Sequence, residues 1–120
     1  MADLLLDTDI FIDHLRGAKR LEPLHHRIHY SVITRAELFA GGGRNYSPVR
    51  LLLEPFQELG IDRAIAERAG RIRRESRIRL PDALIAATAI GQSLDLISRN
   101  RRDFGRVKDL VTHGAIPNRG

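Results

Sequence analysis

Cysteine is absent from the 120-residue chain. That excludes a disulfide scaffold, a thiol nucleophile and every cysteine-ligated zinc or iron–sulfur site. Aromatic residues are scarce, at 5%, so a surface platform on which planar ligands stack is disfavoured. Phe11, Phe39, Phe56 and Phe104 read instead as core or dimer-face residues. No apolar run approaches the roughly 18 residues of a membrane span. The opening Met1-Ala2-Asp3-Leu4-Leu5-Leu6-Asp7 lacks the basic start of a signal peptide. A soluble protein of the reducing cytoplasm is expected, folded as one domain over residues 1–120.

Lysine is nearly missing too. Only Lys19 and Lys108 are lysines among twenty cations, against fifteen acids, and the net charge is +5. The remaining cations are arginines, whose guanidinium forks match phosphate oxygens in pairs. An anionic partner is expected, nucleic acid first, although arginine-rich codon usage would give the same composition.

Apolar patterning alternates between short strands and helices. Leu4-Leu5-Leu6 suits a strand covered on both faces. Ile10, Phe11, His14 and Leu15 follow at helical spacing, and Gly17 closes that helix. Residues 18–27 are ambiguous. Ile28 to Ile33 reads as a second strand and Thr34 as the start of a helix ending in Gly41-Gly42-Gly43. A helix is expected from Pro48 to Phe56, with Pro55 at or near its end, then a short strand over Glu58 to Ile61. Asp62 looks like the N-cap of a helix running to about Ser76. Pro81-Asp82 opens a helix, Ala83 to Ile90, that is apolar almost all round and so expected at the centre. Asp95 to Ser98 and Val107 to Thr112 read as the last strands. The order predicts an α/β sandwich with a mostly parallel sheet.

Ligands of open α/β sheets bind beyond the carboxyl ends of the strands. Asp7, Glu37, Asp82 and Asp103 all fall at such ends or at helix starts. Each has a bland explanation: Asp7 as an N-cap, Thr34-x-x-Glu37 as a capping box, Asp82 in a first helical turn, Asn100-x-x-Asp103 as another cap. Together they would line one edge of the sheet. Clustered carboxylates repel unless a cation intervenes, and a hard divalent ion takes oxygen ligands and activates water toward phosphoryl groups.

At this point the residues resemble a known family. Leu5-Leu6-Asp7-Thr8-Asp9, Ser31-x-x-Thr34-x-Ala36-Glu37-Leu38, Leu80-Pro81-Asp82-Ala83-Leu84-Ile85-Ala86-Ala87-Thr88-Ala89 and Ser98-Arg99-Asn100-Arg101-Arg102-Asp103-Phe104 are similar, in order and spacing, to the four motifs of PIN-domain ribonucleases. The likeness covers essentially the whole chain and is nearest to VapC-type toxins of bacterial toxin–antitoxin pairs. It implies an α/β/α sandwich, a Mg²⁺- or Mn²⁺-dependent endoribonuclease, homodimerisation, and inhibition by a cognate VapB-type antitoxin. Position by position it implies Asp7, Glu37 and Asp82 as site acids. Many relatives carry an acid where Asn100 stands; Asn100 has no charge, so Asp103 is favoured as the fourth acid with Asn100 as its support. Thr8 and Ser98 match polar positions lining the site. On this reading Asp7 and Asp82 hold the main metal and Asp103 completes or bridges a second. Glu37 ligates that second ion or orients the metal-activated water, whose attack leaves a 3′-hydroxyl and a 5′-phosphate. The chain is short between the second and third motifs, so a trimmed arm is expected there.

Arg71, Arg73, Arg74, Arg77 and Arg79 form a basic stretch that could hold RNA phosphates. A solvated helix face with pairs such as Glu67–Arg71 would look the same. Gly41-Gly42-Gly43-Arg44 lacks the Lys-Ser/Thr ending of a phosphate loop and reads as a helix stop. His25, His26 and His29 read as surface or edge residues. A phosphate-receiver domain fails for want of an acceptor Asp near residue 50. A haloacid-dehalogenase-type phosphatase would have to fit its helical cap into this length. The non-enzymatic alternative is a basic RNA-binding module whose acids are all helix caps.

Overall fold

Leu4, Leu5 and Leu6 have no solvent exposure, which is the condition expected of the middle strand of a sheet covered on both faces. The computed structural model describes residues 2–43 and 45–118. In chain order the elements are β1 (Asp3–Leu6), α1 (Thr8–Leu15), β2 (Arg27–Ser31), α2 (Val32–Phe39), α3 (Ser47–Leu53), β3 (Gln57–Leu59), α4 (Arg63–Ser76), α5 (Leu80–Gly91), β4 (Asp95–Ile97), α6 (Arg101–Phe104) and β5 (Thr112–His113). The strands form one sheet in the order β3-β2-β1-β4-β5, and every pairing is parallel.

Side chains along β1 alternate between the faces, as the two-residue period of a strand requires. Leu4 and Leu6 pack with Phe11 of α1, Leu38 of α2 and Leu53 of α3. Leu5 packs on the other face with Ile65 and Ala69 of α4 and with Ile85 and Ala86 of α5. The result is the parallel α/β sandwich that the alternation predicts, in the α/β/α form that the resemblance implies. Helix α5 is buried nearly all round. Its Thr88 hydroxyl donates to the Leu84 carbonyl at 2.8 Å, so even its polar group is satisfied inside the helix. Among the described residues, no helix is long and apolar enough to cross a membrane.

Several local expectations hold. Asp62 caps α4, its Oδ1 accepting from the Ile65 amide at 2.8 Å. Gly17 has a φ of +73°, a left-handed turn that glycine takes without Cβ strain just after α1. Others are corrected. Ser31, not Thr34, caps α2, accepting from the Ile33 amide at 3.0 Å; the strand therefore stops two residues short of Ile33, and Thr34 lies inside the helix. The helix from Pro48 ends at Leu53 rather than Phe56. The last strand is Thr112–His113, because residues 107–111 turn before pairing with β4.

His26 is buried rather than superficial. Its Nδ1 accepts from the Ala2 amide at 3.0 Å, so the opposite nitrogen, 2.7 Å from the Pro117 carbonyl, must carry the proton and donate. It ties the N-terminal strand to the C-terminal segment. The glycine run Gly41–Gly43 follows a helix, as a helix stop should; Arg44 lies outside the described residues.

Candidate active site

The chain leaves β1 for β2 on one side and later crosses to β4 on the other. The carboxyl ends of β1 and β4 therefore border the point where strand order reverses, the usual crevice of such sheets. Asp7 directly follows β1 and Ser98 directly follows β4.

Asp7 is 6% exposed. Its Oδ1 accepts from the Thr8 amide at 2.8 Å and its Oδ2 from the Ser98 hydroxyl at 2.7 Å. The capping role foreseen for it is real but uses only one oxygen. Burial pushes the Asp7 carboxyl up to about 7, helped by the negative charge of Asp9 and, more weakly, of Asp82, and opposed by the Ser98 and Thr8 hydrogen bonds. Burial likewise raises Asp82; the nearby Arg79 lowers it, while Glu37, Asp103 and Asp9 raise it. The acids brought from β1, α1, α2, α5 and α6 thus act on one another electrostatically at a single place.

The supporting residues fall around them. Thr8 donates from its hydroxyl to Glu37 Oε1 at 2.6 Å. Its one proton being used there, the Thr34 hydroxyl 3.0 Å away must donate to Thr8. This relay fixes Glu37. Ser98 accepts from the Asn100 amide at 3.0 Å. Asn100 caps α6: its Oδ1 accepts from the Asp103 amide at 3.3 Å, and its Nδ2 donates to Asp103 Oδ2 at 3.0 Å. Gly105 follows α6, where a Cβ would sit 2.7 Å from the Arg101 carbonyl, so only glycine closes the turn that carries Asp103 without displacement.

Two residues outside the expected set belong to this place. Thr34 is one. Asp9 is the other: its Oδ2 accepts from the Arg99 amide at 3.0 Å and lies 3.3 Å from the Ser98 hydroxyl, while its Oδ1 is buried without a partner. The signal was present in the spacing of Asp7 and Asp9, but a two-residue spacing at a strand-to-helix junction does not say where the second side chain points.

The donors fit a hard divalent cation: several carboxylates, raised proton affinities and an orphaned buried oxygen are what a missing positive charge would satisfy. Among the described residues no three His, Cys, Asp or Glu side chains are grouped so that they could hold a metal ion by themselves.

The cap explanation does not extend to every acid. The N-cap of α2 is Ser31, so Glu37 caps nothing there, and α5 has no side-chain cap at all. Asp82 instead lies 3.8 Å from the Arg79 guanidinium. Of the five arginines, only Arg79 reaches an acid of the cluster. Arg71, Arg73, Arg74 and Arg77 are exposed. Among the described residues they form no ion pair, and the Glu67–Arg71 pair is not made.

Comparison with known proteins shows the family. The sequence profile of the PIN domain matches residues 4–110. Ribonuclease VapC10 of Mycobacterium tuberculosis is 37% identical over 131 aligned positions, covering 95% of each chain. A chain of a toxin–antitoxin complex from Klebsiella pneumoniae superposes with a TM-score of 0.77 at 36% identity, over 91% of this chain and 96% of that one. A chain of VapBC-1 from nontypeable Haemophilus influenzae gives 0.77 at 28% identity, over 92% and 96%. The four motifs, the sheet order and these similarities agree, and the chain belongs to the PIN domain family.

Proposed function

We propose that this protein is a cytoplasmic, divalent-metal-dependent endoribonuclease, the toxin of a type II toxin–antitoxin pair, homodimeric and restrained by a VapB-type antitoxin. What supports the reading is that Asp82 feels the negative charges of Glu37 and Asp103 and that Asp7 feels that of Asp82, with Arg79 beside Asp82 and Arg99 beside Asp9 as the nearby cations among the described residues. The ribonuclease and toxin–antitoxin names of the similar proteins support the substrate and the partner.

Asp7, Asp82 and Asp103 would hold Mg²⁺ or Mn²⁺. The ion, when bound, supplies an acidified water and polarises the phosphodiester. Glu37, held by Thr8 through one oxygen, would orient the attacking water with the other. Water adds to phosphorus as the P–O3′ bond breaks, leaving a 3′-hydroxyl and a 5′-phosphate. Ser98 and Asn100 keep Asp7 and Asp103 in place. Arg71, Arg73, Arg74, Arg77 and Arg79 would gather the RNA backbone.

The test is cleavage of a structured RNA with Mn²⁺ and with chelator. Cleavage that needs the ion is expected; equal cleavage in chelator overturns the metal role, and none with either Mn²⁺ or Mg²⁺ overturns the enzyme. Reversing Arg73→Glu and Arg77→Glu should weaken RNA binding and reduce its salt slope by about one to two. An unchanged slope in a filter-binding titration would remove these residues from the RNA interface.

A further inference from the structure

Beside the acids lies a cavity of about 480 Å³ between α1, the 19–24 loop and the C-terminal segment. Resting on the nuclease reading above, we propose that it is a nucleotide subsite, which takes the RNA nucleotide adjoining the scissile phosphate.

Its size falls within the roughly 300–1,000 Å³ of small-ligand sites. Its aliphatic lining is Leu21, Leu24 and Ile116, with Ile97 buried behind them, and can pack on a base without aromatic side chains. Lys19 and Arg20, both exposed, line it and are suited to a phosphate of the same nucleotide, outnumbering the exposed Glu22 that also lines it. Asn118, with one donor and one acceptor group, lines it as well and can read a base edge.

The cavity is built onto the acid site. Ile10, a wall residue, follows Asp9, and Ile97 precedes Ser98. Arg99 joins the two: its amide is bound by Asp9 at 3.0 Å and its guanidinium by Asp13 at 2.8 Å, and both Arg99 and Asp13 line the cavity. A nucleotide seated there is registered, through Arg99, against the acids that would cut the next bond. An apolar peptide side chain would fit the same walls but would leave Lys19 and Arg20 unused.

The experiment titrates ¹⁵N-labelled protein with AMP, GMP, CMP and UMP in chelator, so that no metal-held phosphate contributes. Saturable shifts are expected at the Gly114, Ala115 and Ile116 amides, stronger for one base than for others. Ala115→Trp, which adds an indole at the cavity lining, should weaken or abolish them. The exposed double variant Lys19→Glu/Arg20→Glu should weaken binding about tenfold, as expected for lost charge-assisted contacts; it keeps the test valid if Ala115→Trp does not fold. On short RNA, Ala115→Trp should raise KM and blunt the base preference beside the cut. No shifts with any nucleotide, or wild-type nucleotide binding and cut-site preference in Ala115→Trp, overturns the subsite while the nuclease reading stands. Loss of antitoxin binding alone in Ala115→Trp would make the cavity a protein site and likewise overturn it. Nucleotide shifts without any RNA cleavage by wild type would leave a nucleotide site and sink the nuclease reading instead.

Discussion

Asp82→Asn should lower Mn²⁺-supported RNA cleavage by about a thousandfold, and Asp7→Asn by a similar factor, since loss of a metal-holding carboxylate removes several kcal/mol of transition-state stabilisation. Neither variant should unfold. Asp82 lies in the first turn of α5, beside Arg79 rather than in a cap bond, and asparagine keeps its volume. Asn at position 7 can still accept from Thr8 or meet Ser98. The double variant should be scarcely worse than either single one, because groups acting as a unit are not additive. Single-turnover cleavage of a structured RNA, with circular dichroism as the folding control, measures this. Cleavage near the wild-type rate by either single variant would take that residue out of the site.

The second large effect concerns pH. Folded Asp7 holds its proton up to about 7, against 3.8 for an ordinary aspartate. The folded state therefore binds the proton more tightly than the unfolded state does. The associated stability is fully present below about 3.8 and is lost as pH rises through about 7. At about 1.4 kcal/mol per pH unit, the full window is worth roughly 4 kcal/mol as an upper limit. Asp9 and Asp82 are raised as well and act with the same sign. Urea denaturation in chelator should thus show wild type losing stability from pH 4 to 8, with Asp7→Asn losing less. The two should be close at pH 4, and the variant should be the more stable at pH 8. Parallel pH profiles would mean that Asp7 carries no such burden. The functional sense is that the site gives up stability to hold charge ready for a cation, a conflict expected where a protein departs from its own folding rules.

Much of the fold is legible from residue pattern. The unbroken Leu4–Leu6 run marks a doubly covered strand, Asp62 marks the start of α4, and the alanine-rich stretch after Pro81 marks the buried helix. Strand order is not legible, because period and propensity report burial and not neighbours. Where two devices compete locally, pattern alone chooses badly. Ser31 and Thr34 can each cap α2; the one nearer the strand does so, and this frees Thr34 for the relay to Glu37. That Asp82 comes near Asp7, and Glu37 and Asp103 near Asp82, was legible because strand ends in a parallel sheet share an edge. Asp9 was not, since its placement depends on the Arg99 amide ninety residues away. His26 was missed for a related reason: its partners are Ala2 and Pro117, at opposite ends of the chain.

Amide spectra of the protein titrated with Mn²⁺ give the most direct measurement, because a bound paramagnetic ion broadens only the signals around it. Saturable broadening should centre on residues 7–9, 37, 82 and 98–103, and should vanish in Asp82→Asn. Broadening that is diffuse, or centred elsewhere on the molecule, would mean that these carboxylates do not form a common cation site.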